Sequence, residues 1–342
     1  MFYYSANVDL IGTGGSATVT DGTSTSTNIT GSVEGESGTS TSATVSLTYR
    51  ATPENANYDF VGWYTSSAGT GDPQYTQNPY SIDLDCSSTN ESSPTVAPTL
   101  YAKFALFPIF RFSANVVHAT NINGTISESV AGGSASATID QIEVKGAHWN
   151  TASASANVTF CVTEIKPGYK FEGWTNELNG AIISTQTEYT IKAQNSTSGS
   201  TLNTQLYARF KKVPDPTSIT AIPTTIEALV GETSNISVSL QPAECYRKIE
   251  FTSADVSVAT VDANGAVKAI AVGTTTITVQ AVKADGTKPE SLRKTVTVKV
   301  MDKCATPVIT FTPTSTDNGA TATATITTTT EGAKIYYTVN GT

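Results

Sequence analysis

Two histidines, His118 and His148, carry all the imidazole in this 342-residue chain. Acyl transfer through a Ser-His-Asp or Cys-His arrangement needs one of them beside a nucleophile and an acid. His118 follows Val116 and Val117 near the end of a run that reads as a strand. His148 lies in Lys145-Gly146-Ala147-His148-Trp149-Asn150, a polar, turn-like stretch. Neither has a GxSxG or cysteine context, so no catalytic residue is assigned. Asp83 and Asp85 have the carboxylates that glycoside hydrolysis uses. They stand two apart, opposite the apolar phase of Ile82, Leu84 and Cys86, and read as a solvated strand face. No DxDxDG loop marks a calcium site. Gly12-Thr13-Gly14-Gly15 lacks the Lys-Ser/Thr ending of a phosphate loop and reads as a turn. The expectation is a chain with no cofactor, no metal and no enzymatic activity.

The four cysteines, Cys86, Cys161, Cys245 and Cys304, are widely spaced and form no CxxC pair, which argues against zinc. They are expected to be free, buried thiols that act as small hydrophobes. Aligning Pro53 with Pro167 sets Cys161 opposite Leu47 and makes it a core residue.

The elements that hold these residues follow from composition and pattern. Only 14% of residues are charged and the formal net charge is −9. No basic stripe exists for phosphate, so nucleic acid is excluded as a partner. The most apolar run, Tyr101 to Phe112, contains Lys103 and Arg111 and is too short for the roughly 20 residues of a membrane helix. Met1 runs straight into a strand pattern, with no signal peptide ahead of it, as in a mature or trimmed form.

An internal repeat organises the first two thirds. Phe2-Tyr3-Tyr4-Ser5-Ala6-Asn7-Val8 matches Phe110-Arg111-Phe112-Ser113-Ala114-Asn115-Val116, an offset of 108. Phe60-Val61-Gly62-Trp63 matches Phe171-Glu172-Gly173-Trp174, and Leu100-Tyr101-Ala102-Lys103-Phe104 matches Leu206-Tyr207-Ala208-Arg209-Phe210. Within each copy apolar residues alternate at period two, as in half-buried strands, and no sustained helical period occurs. Trp63 and Trp174 occupy one repeat position and read as core anchors. Residues 21–42 are low-complexity and read as a mobile loop. Val213-Pro214-Asp215-Pro216 reads as a stiff linker. Asp262-Ala263-Asn264-Gly265 signals a hairpin inside a further set of Val/Ile/Thr strands.

These residues carry three family resemblances. Ala51-Thr52-Pro53, Phe60 to Tyr64 and Leu100 to Phe104 resemble the internalin-type B-repeat in its divergent, Listeria–Bacteroides-like branch. So do Pro167-Gly168-Tyr169-Lys170-Phe171-Glu172-Gly173-Trp174 and Leu206 to Phe210. That resemblance implies small β-grasp-like modules on a bacterial surface protein, with no catalytic residues to carry over. Leu229-Val230-Gly231-Glu232-Thr233, Val258 to Asp262, Asn264 to Val267 and Gly273 to Val279 resemble the bacterial immunoglobulin-like group 2 domain, a β-sandwich. Phe251 stands where that family usually has Trp. Ala305 to Ile309 and Gly332 to Thr342 resemble the start of the small β-domain at the C-terminus of chitobiases. The combination is typical of exported proteins of gut Bacteroidetes-like bacteria.

The expected architecture is an all-β, elongated multi-domain string: repeat 1 at 1–107, repeat 2 at 108–212, an immunoglobulin-like β-sandwich at 213–302 and an incomplete β-domain at 303–342. The expected role is a non-catalytic adhesin or stalk segment at the bacterial outer surface or outside the cell, monomeric in isolation. Its partner would be a host or surface protein or a glycan. Two rivals are the carbohydrate-binding accessory region of a secreted glycosidase and a phage virion appendage. Trp149 and His148 are the candidate ligand-binding residues. Trp149 has no counterpart in the first copy, and an exposed indole beside an imidazole suits a sugar ring or a protein surface.

Overall fold

The structure, a computed structural model, describes residues 1–36, 38–313, 322–330 and 333–338. Gly332, Val339, Asn340, Gly341 and Thr342 of the tail motif lie outside the described residues, as does Ser37 in the low-complexity segment. The fold is all-β. Among the described residues the one helical turn is a 3₁₀ turn at Glu290–Leu292. The chain divides into two compact units, Met1–Val117 with Ala135–Thr163 and Trp174–Ala208, and His118–Ser134 with Glu164–Gly173 and Arg209–Thr342.

The first copy of the repeat supplies β1 (Phe2–Ile11), β2 (Gly15–Thr20), β3 (Thr25–Ser26), β4 (Asn28–Val33), β5 (Ala43–Pro53), β6 (Tyr58–Tyr64), β7 (Tyr80–Cys86), β8 (Thr95–Val96) and β9 (Leu100–Leu106). One sheet runs β4-β1-β9-β6, with β8 also on β1, and the other runs β3-β2-β5-β7. Period-two alternation sends Phe2, Tyr4, Ala6 and Val8 of β1 and Leu100, Ala102 and Phe104 of β9 inward. They pack with Leu47, Tyr49, Trp63 and Cys86 in one core. Asp83 and Asp85 face solvent, each accepting a hydroxyl hydrogen bond from β5, Ser46 at 2.6 Å and Thr44 at 2.7 Å.

Residues 25–33 are not part of the loop that the composition of 21–42 suggests, while 34–36 and 38–42 hold no strand. Asn28–Val33 forms a six-residue antiparallel ladder with Phe2–Asn7, and Thr25–Ser26 pairs with β2. The organising residue is Tyr4. Its ring lies over Gly31, where a Cβ would fall 2.3 Å from the Tyr4 hydroxyl oxygen. That hydroxyl donates a 2.5 Å hydrogen bond to Asp21 Oδ2. Ile29 is buried beside them. One apolar side chain, one absent side chain and one carboxylate thus suffice to fix a segment of otherwise polar residues.

The second copy repeats the plan with β10 (Ile109–Ile122), β11 (Thr125–Glu128), β12 (Gly133–Ile139), β13 (Glu143–Lys145), β14 (Ala154–Ile165), β15 (Tyr169–Thr175), β16 (Ile182–Ser184), β17 (Glu188–Asn195) and β18 (Thr201–Lys212). Its sheets run β11-β10-β18-β15-β16, with β13 on β10, and β12-β14-β17. Trp63 and Trp174 are both fully buried. Each indole N–H donates to a glutamine carbonyl, Gln77 at 2.9 Å and Gln186 at 2.8 Å.

Cys161 departs from its expected core position. The inward residues of β14 are Ala156, Val158 and Phe160, so Cys161 is half-buried and its thiol faces Glu188. Phe160 packs at an angle against Trp174 as Tyr49 does edge-on against Trp63, an offset of 160 − 49 = 111. The proline alignment had imposed 161 − 47 = 114, which turned the strand over. All four thiols are free; Cys86 and Cys245 are buried and Cys304 is exposed, contrary to the expectation of four buried cysteines.

The remaining strands are β19 (Ser218–Ile222), β20 (Thr225–Leu229), β21 (Thr233–Asn235), β22 (Ser237–Gln241), β23 (Lys248–Ser253), β24 (Ala259–Val261), β25 (Ala266–Ala269), β26 (Gly273–Val282) and β27 (Arg293–Met301), followed by the hairpin β28 (Val308–Pro313) and β29 (Ala322–Thr327). The sheets β20-β27-β26-β23, β21-β25-β24 and β19-β22 enclose one core that includes Leu240, Cys245, Ile277, Val296 and Val298. Phe251 packs against it. Asp262 Oδ1 accepts the amides of Asn264 and Ala266 and closes the β24–β25 hairpin where the sequence signals it.

Two outcomes follow for the Tyr4 corner. Gly31→Ala should destabilise the first copy by about 1–3 kcal/mol through overpacking, and the penalty should largely vanish in a Tyr4→Ala background. Urea unfolding of the full chain measures both. Burial pushes the Asp21 carboxyl up, but hydrogen bonds from the Tyr4 hydroxyl, the Ser24 and Thr23 amides and the Thr23 hydroxyl outweigh it and hold its pKa well below the usual range. A depressed native pKa stabilises the fold above the ordinary aspartate value, and that contribution is lost as pH falls through the native one. The stability gap between the native chain and Asp21→Asn should therefore narrow on going from about pH 7 to about pH 3. A pH-independent gap contradicts the assignment.

Candidate functional site

The turn after β13 carries both candidate ligand residues. Thr151 shapes it: its hydroxyl accepts the His148 amide at 3.0 Å and donates to the His148 carbonyl at 2.8 Å. This pair of hydrogen bonds within four residues sets His148 and Trp149 at the tip. Trp149 is 41% exposed. Its backbone N–H donates to Asp59 Oδ2 at 3.0 Å, and His148 Nδ1 lies 3.5 Å from the same oxygen. Asp59 belongs to β6 of the first copy. The structure therefore brings Trp149 and His148 together and joins them to a carboxylate that the sequence did not single out.

Lys145, at the end of β13, makes the same kind of reach. Its ammonium donates to the Ala56 carbonyl and sits 3.9 Å from the centre of the Phe107 ring. The Gly146 amide donates to the Pro108 carbonyl at 2.8 Å. Residues 145–151 thus grip the 56–59 segment and the Phe107-Pro108 connection at once. The backbone of this turn is committed to that junction, and the Trp149 indole face and the His148 ring, 75% exposed, are what it offers to solvent. An aromatic face beside an imidazole can stack on a pyranose or pack against a protein side chain. His118 lies inside β10, short of its end at Ile122, rather than near a strand end.

A second polar cluster lies in the second copy. Glu172 Oε2 accepts from Arg209 Nε at 2.9 Å, with the side chains 19% and 9% exposed. Asn121 Nδ2 donates to the same carboxylate at 3.1 Å, and Asn121 Oδ1 accepts the Gly124 amide. Glu172 stands where the first copy has Val61, and Arg209 where it has Lys103. Asn121 sits on the β10–β11 hairpin, which has no counterpart in the first copy. The carboxylate, the guanidinium and the extra hairpin come as a set. Their charges satisfy one another. No group of three or more metal-ligating side chains occurs among the described residues, and no helix there is long and apolar enough to cross a membrane.

Residues 215–292 match the bacterial Ig-like domain (group 2) family, under a quarter of the chain. No curated protein matches. Among solved structures, the chain is similar to surface layer protein SbsC, domains 1–6, at 11% identity and a TM-score of 0.22, covering 84% of this chain and 61% of that one. It is also similar to the S-layer protein rSbsC(31-844), at 12% identity and a TM-score of 0.22, covering 96% of this chain and 63% of that one. The chain thus spans less than two thirds of those proteins, and a TM-score this low does not establish a shared fold.

Removing the Asp59 carboxylate should loosen the turn. In Asp59→Ala the Trp149 amide loses a bond worth about 0.5–1.5 kcal/mol at this partly exposed position. Its hydrogen exchange should speed up several-fold while β9 and β14 keep their protection. Unchanged exchange at Trp149 would show that the carboxylate does not hold it.

Proposed function

We propose that this chain is a non-catalytic segment of a bacterial cell-surface or secreted modular protein, an adhesin or stalk that presents or binds a host or matrix ligand. The observation that carries the reading is the Ig-like group 2 match at residues 215–292, set in line with two copies of a second β-module. We keep the boundaries 107/108, 212/213 and 302/303, with the repeats read as internalin-type and the last segment as chitobiase-like. The chain acts outside the cell, as a monomer, without cofactor.

Trp149 and His148 are the proposed contact residues for a glycan or a surface protein. The exposed indole beside an imidazole also favours a second reading, a carbohydrate-binding accessory region of a larger secreted enzyme. One experiment serves both. The full chain and its Trp149→Ala variant are screened against a glycan array and against extracellular-matrix proteins. Losing an aromatic anchor costs about 2 kcal/mol or more, so binding should weaken at least tenfold in the variant. A glycan hit selects the accessory reading and a protein hit selects the adhesin. Binding that survives the substitution, or no binding at all, removes Trp149 from the site.

A further inference from the structure

We infer that the first copy of the repeat and the Ig-like sandwich resist tension through mechanical clamps, β1 against β9 in the first copy and β20, the second strand of the sandwich, against its last strand β27. The inference starts from strand direction. In the first copy, β1 pairs with β9 in parallel: Val8 faces Leu100, Asp9 faces Tyr101, Leu10 faces Ala102 and Ile11 faces Lys103. Lower down, the same strand pairs in parallel with β8, Tyr4 against Thr95 and Ser5 against Val96, and the Ala97 amide donates to the Ser5 carbonyl at 2.9 Å. In the sandwich, β20 pairs in parallel with β27 over five residues, Thr225–Leu229 against Thr297–Met301. Hydrogen bonds from the Thr297 amide to the Thr224 carbonyl and from the Val230 amide to the Met301 carbonyl close its two ends.

Parallel pairing fixes the direction of load. The chain enters the first copy at the Phe2 end of β1 and leaves at the Leu106 end of β9, at opposite ends of a shared ladder. Tension between those points slides one strand along the other. All the cross-strand bonds then stretch together and must fail together. Had the two strands been antiparallel neighbours, entry and exit would lie at one end and the bonds would open one at a time. In the sandwich β20 is an edge strand held by the clamp ladder itself, whereas β1, β9 and β27 each have a second neighbour in their sheet. On its other side β1 is held by the six-residue ladder to β4, and β27 by an eight-residue antiparallel ladder to β26. Buried Val8, Leu100 and Ala102 lie under the first clamp and Ile226, Ala228, Val298 and Val300 under the second, which shields their bonds from water.

The connection out of the first copy suits the same task. Only Phe107 and Pro108 separate β9 from β10. Lys145 and the Gly146 amide grip those two residues, so tension passes on without a slack loop to draw out first. The surface-protein reading supplies the origin of the force, but the clamp is a property of the fold and stands or falls separately.

Single-molecule force spectroscopy on the full chain tests it by direction of pull. Handles at Met1 and Leu106 load the first clamp in shear, and handles at the exposed Thr13 and Leu106 peel the same two strands apart from one end. Handles at Thr224 and Met301, against Val230 and Met301, make the same comparison in the sandwich. The folded protein is identical in each pair, so differences in equilibrium stability cannot enter. Shear should require a several-fold higher rupture force than peeling in both modules. Equal forces, or a stronger peel, would overturn the inference while leaving any result on ligand binding intact.

Discussion

A buried tryptophan with one polar atom sets the terms for each copy of the repeat. An indole fills a large volume at the centre of a small two-sheet module, and its N–H must still find an acceptor there. In both copies the acceptor is a glutamine main-chain carbonyl three residues ahead of the tyrosine that opens or enters the next edge strand, Gln77 before Tyr80 and Gln186 before Tyr189. That bond pulls the connection after the Phe-x-Gly-Trp strand back over the core. An aromatic from the opposite sheet closes on the ring, Tyr49 at 6.0 Å and Phe160 at 5.6 Å. The apolar surroundings that make Trp63 an anchor also push the Tyr49 hydroxyl up to about 12, so it stays a neutral donor there. Loop insertions elsewhere are tolerated because this contact set does not involve them.

With so few charges, the solvent faces are organised differently from an average domain. Cross-strand pairs of hydroxyls and carboxamides stand beside ion pairs such as Arg111 with Glu143 and Lys299 with Glu227: Thr48 with Ser81, Thr159 with Thr190, Ser113 with Asn203 and Asn115 with Gln205. Each such pair contributes about 0.2–1 kcal/mol and needs no opposite charge to be present. β-branched threonine also suits the extended backbone. These neutral pairs are little affected by salt, since screening acts on charges and not on neutral hydrogen bonds.

Much of the fold was legible because apolar alternation is a local property. The LYA(K/R)F strands, the hairpin at Asp262 and the two tryptophans all declare themselves within a few residues. What was missed depends on partners far away in sequence. Residues 25–33 look structureless because the Tyr4 side chain that helps order them stands 17 residues before its partner Asp21. Asp59 gives no sign of its role, since its partner is an amide 90 residues on. A signal did exist for the β10–β11 hairpin. Gly14-Gly15-Ser16-Ala17 recurs as Gly132-Gly133-Ser134-Ala135 at an offset of 132 − 14 = 118, against 108 for the block before it. The ten extra residues are the hairpin. The glycines recur because an aromatic lies on them: a Cβ at Gly15 would meet Phe104 at 2.5 Å, and one at Gly133 would meet Phe210 at 2.7 Å.

That hairpin explains why two copies of one module are not interchangeable. In the first copy Val61 needs no partner, and Lys103 reaches the Gly69 carbonyl at 2.8 Å with its ammonium 5.3 Å from the Tyr64 ring. In the second, placing Glu172 at the valine position puts a carboxylate under the sheet surface. Arginine at the lysine position answers it with a fixed planar donor, and Asn121 on the added hairpin takes the remaining lone pairs. A buried pair of this kind adds little net stability, because desolvation offsets most of the attraction. Its effect is on register: a slip of the hairpin by one residue would turn Asn121 away and leave the carboxylate short of a donor, at a cost of about 1–3 kcal/mol. The same aromatic frame thus accepts a charged insertion in one copy because every polar group the insertion buries arrives with its partner.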